Sequence, residues 1–250
     1  MTLALKLLLT PCLITLATLV GRKWGPGVSG WLIGLPLTSG PVSLILAVQY
    51  GTNYAQRAAV GSLAGQVSVC LFCLAYSLAA ARTKWVASAG FGILAFLSAT
   101  IIWNQFSLSL VGTFLIALVL ILLIFQLIPA QDVDVAAIQA PKWDIPARML
   151  LATTFVVLLT SYSPLLGPHL SGLVAPFPVF GLVLATFAHQ QMGGSAAIKL
   201  LRGVVLGSFG FISFFLVVGL ALPVLGIVWT YLLAALAAIL VDGVLLKLAR

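Results

Sequence analysis

The sequence is poor in charge, and above all in acidic side chains. It contains no glutamate and only four aspartates, and charged residues make up 6% of its 250 residues, against roughly 25% in soluble domains. Paired carboxylates, metal-ligand clusters and phosphate-cradling loops, the usual patterns of hydrolytic, metal and phosphoryl-transfer chemistry, are lacking. A water-soluble fold is therefore excluded, and no cofactor or metal is expected.

Cysteine is equally scarce. The three cysteines, Cys12, Cys70 and Cys73, all lie inside apolar runs and form no spaced disulfide framework. The Cys70–Cys73 pair has the spacing of half a redox or metal site, but a second pair is missing. We interpret Cys70 and Cys73 as small buried residues.

Apolar residues dominate the sequence instead, and 62% of the residues are hydrophobic. A helix needs about 20 apolar residues to cross the hydrocarbon core of a bilayer. Hydropathy therefore predicts an all-α integral membrane protein with about nine transmembrane helices. Their expected bounds are 2–20, 28–50, 57–81, 85–102, 107–128, 147–166, 170–190, 197–221 and 224–248. Whether residues 81–104 hold one span or a re-entrant segment stays open.

The basic residues predict the orientation of these helices. Cytoplasmic loops are enriched in Lys and Arg, and the nine-helix arrangement puts ten of the twelve Lys and Arg residues on one side: Arg22, Lys23, Arg82, Lys84, Lys142, Arg148, Lys199, Arg202, Lys247 and Arg250. We expect a multi-pass protein of the inner (plasma) membrane, with its N-terminus outside and its C-terminus cytoplasmic. Basic pairs scattered between apolar runs form no nucleic-acid-binding face, despite the net charge of +8.

An internal repeat divides the chain. Residues 24–65 match residues 166–207 at a constant offset of 142, and most of the identical positions are Gly, Pro or Ser, residues that direct the backbone. The identical pairs are Gly25/Gly167, Pro26/Pro168, Ser29/Ser171, Gly30/Gly172, Pro36/Pro178, Gln49/Gln191, Gly51/Gly193, Ala55/Ala197, Gly61/Gly203 and Gly65/Gly207. We expect a four-helix repeat at 1–104, a connecting helix and cytoplasmic linker at 105–146, and a second repeat at 147–250. Because five helices precede the second repeat, the two would have inverted topology, a 4+1+4 arrangement.

A family resemblance rests on the second repeat, which contains Ser-Gly-Leu-Val-Ala-Pro-Phe-Pro-Val-Phe at 171–180 followed by His189 and Gly193. This pattern resembles the GlpM family of small membrane proteins, and the likeness covers roughly residues 147–248. The first repeat departs from it, with Ala47 in place of His189. The resemblance implies an integral membrane protein, and this chain looks like a fused, inverted duplication of the single unit.

Equivalent proline-containing segments predict the working site. Proline interrupts a helix, and inside a bilayer the freed backbone groups need protein or a water-filled cavity as partners. Two broken helices at the repeat interface would form a substrate site, as in secondary transporters. Its candidate residues are Pro36, Thr38, Ser39, Pro176 and Pro178. Tight packing of small residues is the alternative interpretation.

Three further polar residues are candidate substrate contacts: Gln49 and its repeat equivalent Gln191, which alternatively bridge helices, and His189, alternatively an interfacial histidine. Asp242, near the end of the last helix, is expected to reach the membrane interface. The scarcity of carboxylates in the spans counts against a carboxylate-based proton relay.

Taken together, these features predict a transporter or export permease for a small solute, with an anion as one candidate. The alternatives are a passive channel at the same interface and a non-transporting factor in lipid or polymer synthesis. The Gly-x-Ser-Gly at 27–30 also matches intramembrane serine proteases, with His169 or His189 as base, but Ser29 follows a Gly-Pro turn where serine is favoured as an N-cap. We therefore expect no enzyme. The expected partners are membrane lipids and the solute, and a homodimer stays open.

Overall fold

Helices make up every element of the computed structural model. The structure describes residues 2–106, 108–132, 141, 143–162 and 177–248. In chain order the helices are α1 (Thr2–Trp24), α2 (Pro26–Gly34), α3 (Ser39–Tyr50), α4 (Thr52–Ala80), α5 (Trp85–Trp103), α6 (Leu110–Leu127), α7 (Asp144–Tyr162), α8 (Val179–Met192) and α9 (Gly194–Leu248).

Five of these segments are long and apolar enough to cross a membrane: Pro26–Tyr50, Thr52–Ala80, Trp85–Trp103, Leu110–Leu127 and Gly194–Lys247. Large apolar side chains on α5, α6 and the C-terminal part of α9 face outward, where lipid would cover them, among them Phe91, Leu115, Val119, Val228 and Ile239. An all-α, membrane-embedded protein is thus confirmed. The count of nine spans stays a prediction.

The helix predicted at 28–50 is interrupted, as its proline led us to expect. α2 ends at Gly34 and α3 begins at Ser39, and residues 35–38 between them are not helical. Pro36 lacks an N–H and its ring crowds the carbonyl of the preceding turn, so the helix cannot continue through it. This interruption is called the first break below.

The helices predicted at 197–221 and 224–248 are the two arms of α9, which meet at a sharp turn. Gly226 has a positive φ of +70°, which a residue without a Cβ adopts readily. The first arm (194–225) and the second arm (227–248) then run antiparallel. Accordingly, the Gly210 N–H donates to the Asp242 carboxylate, 2.9 Å away, and the rings of Phe214 and Tyr231 lie 6.0 Å apart.

A similar hairpin joins α4 and α5. The turn at 81–84 lies where Arg82 and Lys84 predicted it, and α5 is continuous for 19 residues. Its length and composition suffice for one span.

The centre of the fold is an antiparallel pair made of α4 and the first arm of α9. Gln56 donates to the Gly219 carbonyl (2.9 Å), and Gln66 donates to the Ser208 hydroxyl (2.7 Å). At the far end of α4, Gly194 lies directly against the carbonyl of Ala80. Residue numbers fall along one helix as they rise along the other, so the two run antiparallel over their whole contact.

Glycines bring α2 into backbone contact with the first arm of α9. A Cβ at Gly30 would overlap the Leu200 carbonyl, and one at Gly207 would overlap the Trp31 carbonyl. Small residues spaced four apart permit this close approach of helices in membranes. The first break is thereby held against the central pair.

The α3–α4 and α8–α9 junctions share one geometry. Gly51 has φ +87° and ψ 167°, and Gly193 has φ +87° and ψ 172°. The N–H of each bonds to the carbonyl four residues back, that of Ala47 in one and that of His189 in the other. These two glycines are a matched pair of the sequence repeat.

Candidate functional site

The first break faces the middle of the central pair. On one side of it Gly34 lies against Gly207, and on the other side Gly40 packs on the ring of Phe214. The break therefore lies at the level of residues 207–214 of α9. A backbone turn spans the break, and within it the Leu37 N–H donates to the Leu35 carbonyl at 2.8 Å.

Polar side chains meet at the same level, where α4 crosses α9. The Gln66 amide donates to the Ser208 hydroxyl, which in turn donates to the Val204 carbonyl at 2.9 Å. The Cys70 thiol lies 3.4 Å from the same hydroxyl. We call the first break together with Gln66 and Ser208 the crossing site.

The predicted residues of the first repeat occupy this site. Pro36 is buried, and Thr38 and Ser39 are half-buried. The Ser39 hydroxyl oxygen is buried, and no described residue forms a hydrogen bond with it. This hydroxyl lies at the N-terminus of α3, where the helix dipole is positive.

The predicted residues of the second repeat are only partly described. Pro178 is buried and directly precedes α8, whereas Pro176, His169 and Ser171 lie outside the described residues. A Cβ on Gly181, in the first turn of α8, would lie 3.9 Å from the ring of Phe72 on α4. The start of α8 thus contacts α4, while the start of α3 contacts α9.

Gln49 and Gln191, matched in sequence, are not brought together. Gln49 is exposed near the end of α3. Gln191 belongs to a cluster around Asp144, in which its amide donates to the carboxylate at 2.6 Å and its oxygen accepts from Arg148 at 3.2 Å. The contacts of Gln191 are those of a residue that bridges helices.

This ionic cluster joins the ends of α1, α7 and α8. Asp144 is completely buried and forms ion pairs with Arg22 (2.8 Å) and Arg148 (3.0 Å). Arg148 also lies over the ring of Phe187, 4.7 Å from its centroid. Burial alone would raise the pKa of Asp144, but its three hydrogen-bonded partners outweigh burial and hold the pKa below its ordinary value.

His189 lies apart from the crossing site, near the end of α8. Its Nδ1 is 3.4 Å from the hydroxyl of Tyr76, and its ring packs edge-on against that of Tyr76. Gly194 also lies beside it. The described contacts therefore place His189 between α8 and α4.

The interpretation of Ser29 as an N-cap is wrong. α2 begins at Pro26 with Gly25 as its cap, so Ser29 lies within the helix. Its buried hydroxyl donates to the carbonyl of Ala17 at 2.7 Å. Ser29 thus holds α2 against α1, and this contact is not that of an activated nucleophile.

Reasoning from sequence missed two residues of the crossing site, Gln66 and Ser208. They lie one position beyond the matched segments 24–65 and 166–207, and their numbers differ by the same 142. Because glutamine and serine are not identical, the repeat signal stopped just before them. Following the offset one residue further would have found the pair.

The expectation for Asp242 is wrong as well. Instead of reaching the membrane interface, its side chain is completely buried against the first arm of α9. The cause is the fold-back at Gly226, which places Asp242 opposite a glycine.

Metal binding has no support among the described residues, where no group of three His, Cys, Asp or Glu side chains could hold an ion. Cys70 and Cys73 are free and buried, as expected. No family model, curated protein or solved structure matches this chain.

Proposed function

We propose that the chain is an inverted duplication with nine spans. The support is the contact between Gln66 and Ser208, two positions related by the repeat offset of 142. When a two-fold axis relates two antiparallel helices, equivalent residues of the two helices meet at that axis. Because the axis is perpendicular to the helices, it lies in the membrane plane, as it does in inverted-topology repeats. We also propose kinship with the GlpM family on the sequence pattern at 171–180.

The distribution of basic side chains supports the orientation in this proposal. Arg22 pairs with Asp144, Lys199 lies against Gly27, and Arg202 donates to the Ile128 carbonyl. These contacts gather near the ends of α1 and α6 and the starts of α2 and α7. The Gln56–Gly219 contact lies at the opposite end of the central pair. The basic end is the cytoplasmic end by the positive-inside rule, which puts the N-terminus outside.

The function we propose is transport or export of a small solute by movement of one repeat against the other. The observation that carries it is the break between α2 and α3, held against the central pair by glycine contacts. The buried, unpartnered Ser39 hydroxyl and the positive N-terminus of α3 would offer hydrogen-bond donors to an anion.

Packing at the crossing site favours a carrier over a channel. Gln66 and Ser208 bond directly at 2.7 Å, and a Cβ on Gly40 would lie 3.2 Å from the Phe214 ring. Among the described residues, these contacts close the gap between α4 and α9 at Gln66 and the gap between α3 and α9 at Gly40. Passage therefore requires the two repeats to move apart.

Flux into proteoliposomes tests the function. The panel is phosphate, acetate, lactate and glycerol, each radiolabelled, with empty liposomes as the reference. Saturable uptake of one of them supports a carrier, whereas non-saturable conductance supports a channel. No flux across the panel contradicts the proposed function and favours a non-transporting membrane factor.

Proline replacements test the site. We expect Pro36→Ala and Pro178→Ala each to reduce saturable flux at least tenfold, because alanine lets the helix close across the break. Pro11→Ala is the matched control, since Pro11 lies inside the continuous helix α1. Wild-type flux in folded Pro36→Ala and Pro178→Ala proteins would show that the breaks do not form the site.

A further inference from the structure

A buried carboxylate lies beside the crossing site. The side chain of Asp242 is completely buried, and its Oδ1 accepts the N–H of Gly210 at 2.9 Å. Its Oδ2 is also buried and has no hydrogen-bond partner among the described residues. A Cβ on Gly210 would overlap the carboxylate, so the glycine makes the room that Asp242 occupies.

Asp242 lies on the second arm of α9, sixteen residues beyond the turn at Gly226, which corresponds to about 24 Å along a helix. Its partner Gly210 lies two residues, or about 3 Å, from Ser208. The carboxylate is therefore close to the level of the Gln66–Ser208 contact.

No described cation neutralises this carboxylate. α2 and α3 carry no Lys, Arg, His, Asp or Glu between Pro26 and Tyr50. On the first arm of α9, Lys199 and Arg202 lie more than two turns before Gly210, and the guanidinium of Arg202 is held at the Ile128 carbonyl.

On the second arm of α9, which carries Asp242, Lys247 lies more than one turn beyond Asp242. The Tyr231 hydroxyl on the same arm bonds to Ser43 at 2.7 Å. Within the described part of the chain, Asp242 forms no ion pair.

The second neighbour of the carboxylate is the indole of Trp31 on α2. The Trp31 Nε1 is itself buried, and apart from this neighbour it has no hydrogen-bond partner within the described part of the chain. The two polar neighbours described for the carboxylate are thus N–H groups rather than the oxygen ligands that a Mg²⁺ or Ca²⁺ ion requires. The species that suits such a carboxylate is a proton.

We propose that Asp242 binds and releases a proton within the membrane and so couples solute movement to the proton gradient. This inference rests on the proposed transport function. In the charged state Oδ1 accepts the Gly210 N–H, and the negative charge on the open acceptor Oδ2 attracts the N–H of the Trp31 indole. When Asp242 takes up a proton, the new O–H replaces that acceptor and the attraction to the indole is lost.

Trp31 links the protonation state of Asp242 to the first break. It lies one turn before Gly34, where α2 ends, and its carbonyl lies directly against Gly207. A shift of the indole therefore changes the packing at the residue whose backbone joins the end of α2 to the first arm of α9. Protonation at one place and rearrangement of the solute site are linked through these contacts.

The first experiment needs no solute. Infrared spectra of the purified protein in lipid, recorded across a pH titration, should show the C=O stretch of a protonated carboxyl that disappears as the pH rises. The band should be absent in Asp242→Asn and present in Asp132→Asn, the control, because Asp132 is exposed outside the helices. Should Asp242→Asn fail to fold, dicyclohexylcarbodiimide labelling of the wild-type protein replaces it, since this reagent modifies protonated carboxyls in apolar surroundings. Modification of Asp242 that falls with rising pH is the expected result.

The second experiment uses the solute that gives saturable flux in the panel above. A pH gradient should drive its accumulation in wild-type proteoliposomes, and Asp242→Asn should abolish accumulation while retaining at least a third of solute exchange at equal pH. Saturable flux without a titrating Asp242 would overturn the proton site alone. A titrating Asp242 with no flux of any solute would instead overturn the transport function. Accumulation that persists in Asp242→Asn would overturn the coupling.

Discussion

Replacing Asp144 by asparagine tests the ionic cluster that ties α1, α7 and α8 together. The substitution keeps the size of the side chain but removes the charge that neutralises Arg148, whose side chain is only 10% exposed. We expect Asp144→Asn to be strongly destabilising, since it leaves a buried guanidinium without its counter-ion.

The magnitude follows from the burial of each partner. Breaking a buried ion pair by removing one partner costs about 3–5 kcal/mol of unfolding free energy. The Arg22 side chain is 36% exposed, and solvent screening reduces its share to about 1 kcal/mol or less. We therefore expect Arg22→Gln to be several times milder than Asp144→Asn.

Equilibrium unfolding in mixed micelles, followed by circular dichroism, measures both changes. Asp132→Asn is the matched control because it removes an exposed aspartate from the same connection, and it should change stability by less than about 0.5 kcal/mol. A loss below about 1 kcal/mol for Asp144→Asn would refute the reasoning, since the cluster would then behave as an exposed one.

The pH dependence supplies an independent check. The pKa of Asp144 is lower in the folded protein than its ordinary value of 3.8, so the ionised carboxylate favours folding. This contribution is complete above the unfolded pKa and is lost as the pH falls through it toward the folded pKa. Wild-type stability should decline below about pH 4, and the decline should be smaller in Asp144→Asn. Parallel acid profiles of the two proteins would contradict the assignment.

Two further predictions concern helix packing and burial. Gly207→Ala should destabilise the protein by about 1–2 kcal/mol, because the new Cβ overlaps the Trp31 carbonyl and the cost of overpacking exceeds the gain in helix propensity. Gly90→Ala is the control, since a Cβ at Gly90 meets open space, and it should be neutral or up to about 1 kcal/mol more stable. Equal effects in unfolding assays would disprove the backbone contact. Of the three free thiols, Cys12 is exposed and the other two are buried, so a lipid-soluble maleimide should label Cys12 alone in the folded protein; stoichiometric labelling of a second thiol would contradict this burial.

Much of the architecture could be predicted from the sequence because it depends on local signals. Apolar run length predicts membrane helices, and proline predicts an interruption wherever it falls inside one, as at Pro36. The turn at 81–84 followed from Arg82 and Lys84. The match of Gly51 and Gly193 in the repeat is consistent with their shared positive φ.

The partners of polar side chains depended on tertiary structure, because they come from distant parts of the chain. Asp242 lies 32 residues from Gly210, and only the fold-back at Gly226 removes it from the membrane interface. The Gln191 amide faces Asp144 because α7 and α8 meet there, while the matched Gln49 is exposed. A linear sequence therefore determines where this chain is apolar and where its helices break. Which buried polar atoms meet, and which remain unpartnered, is decided only when the antiparallel helices pack.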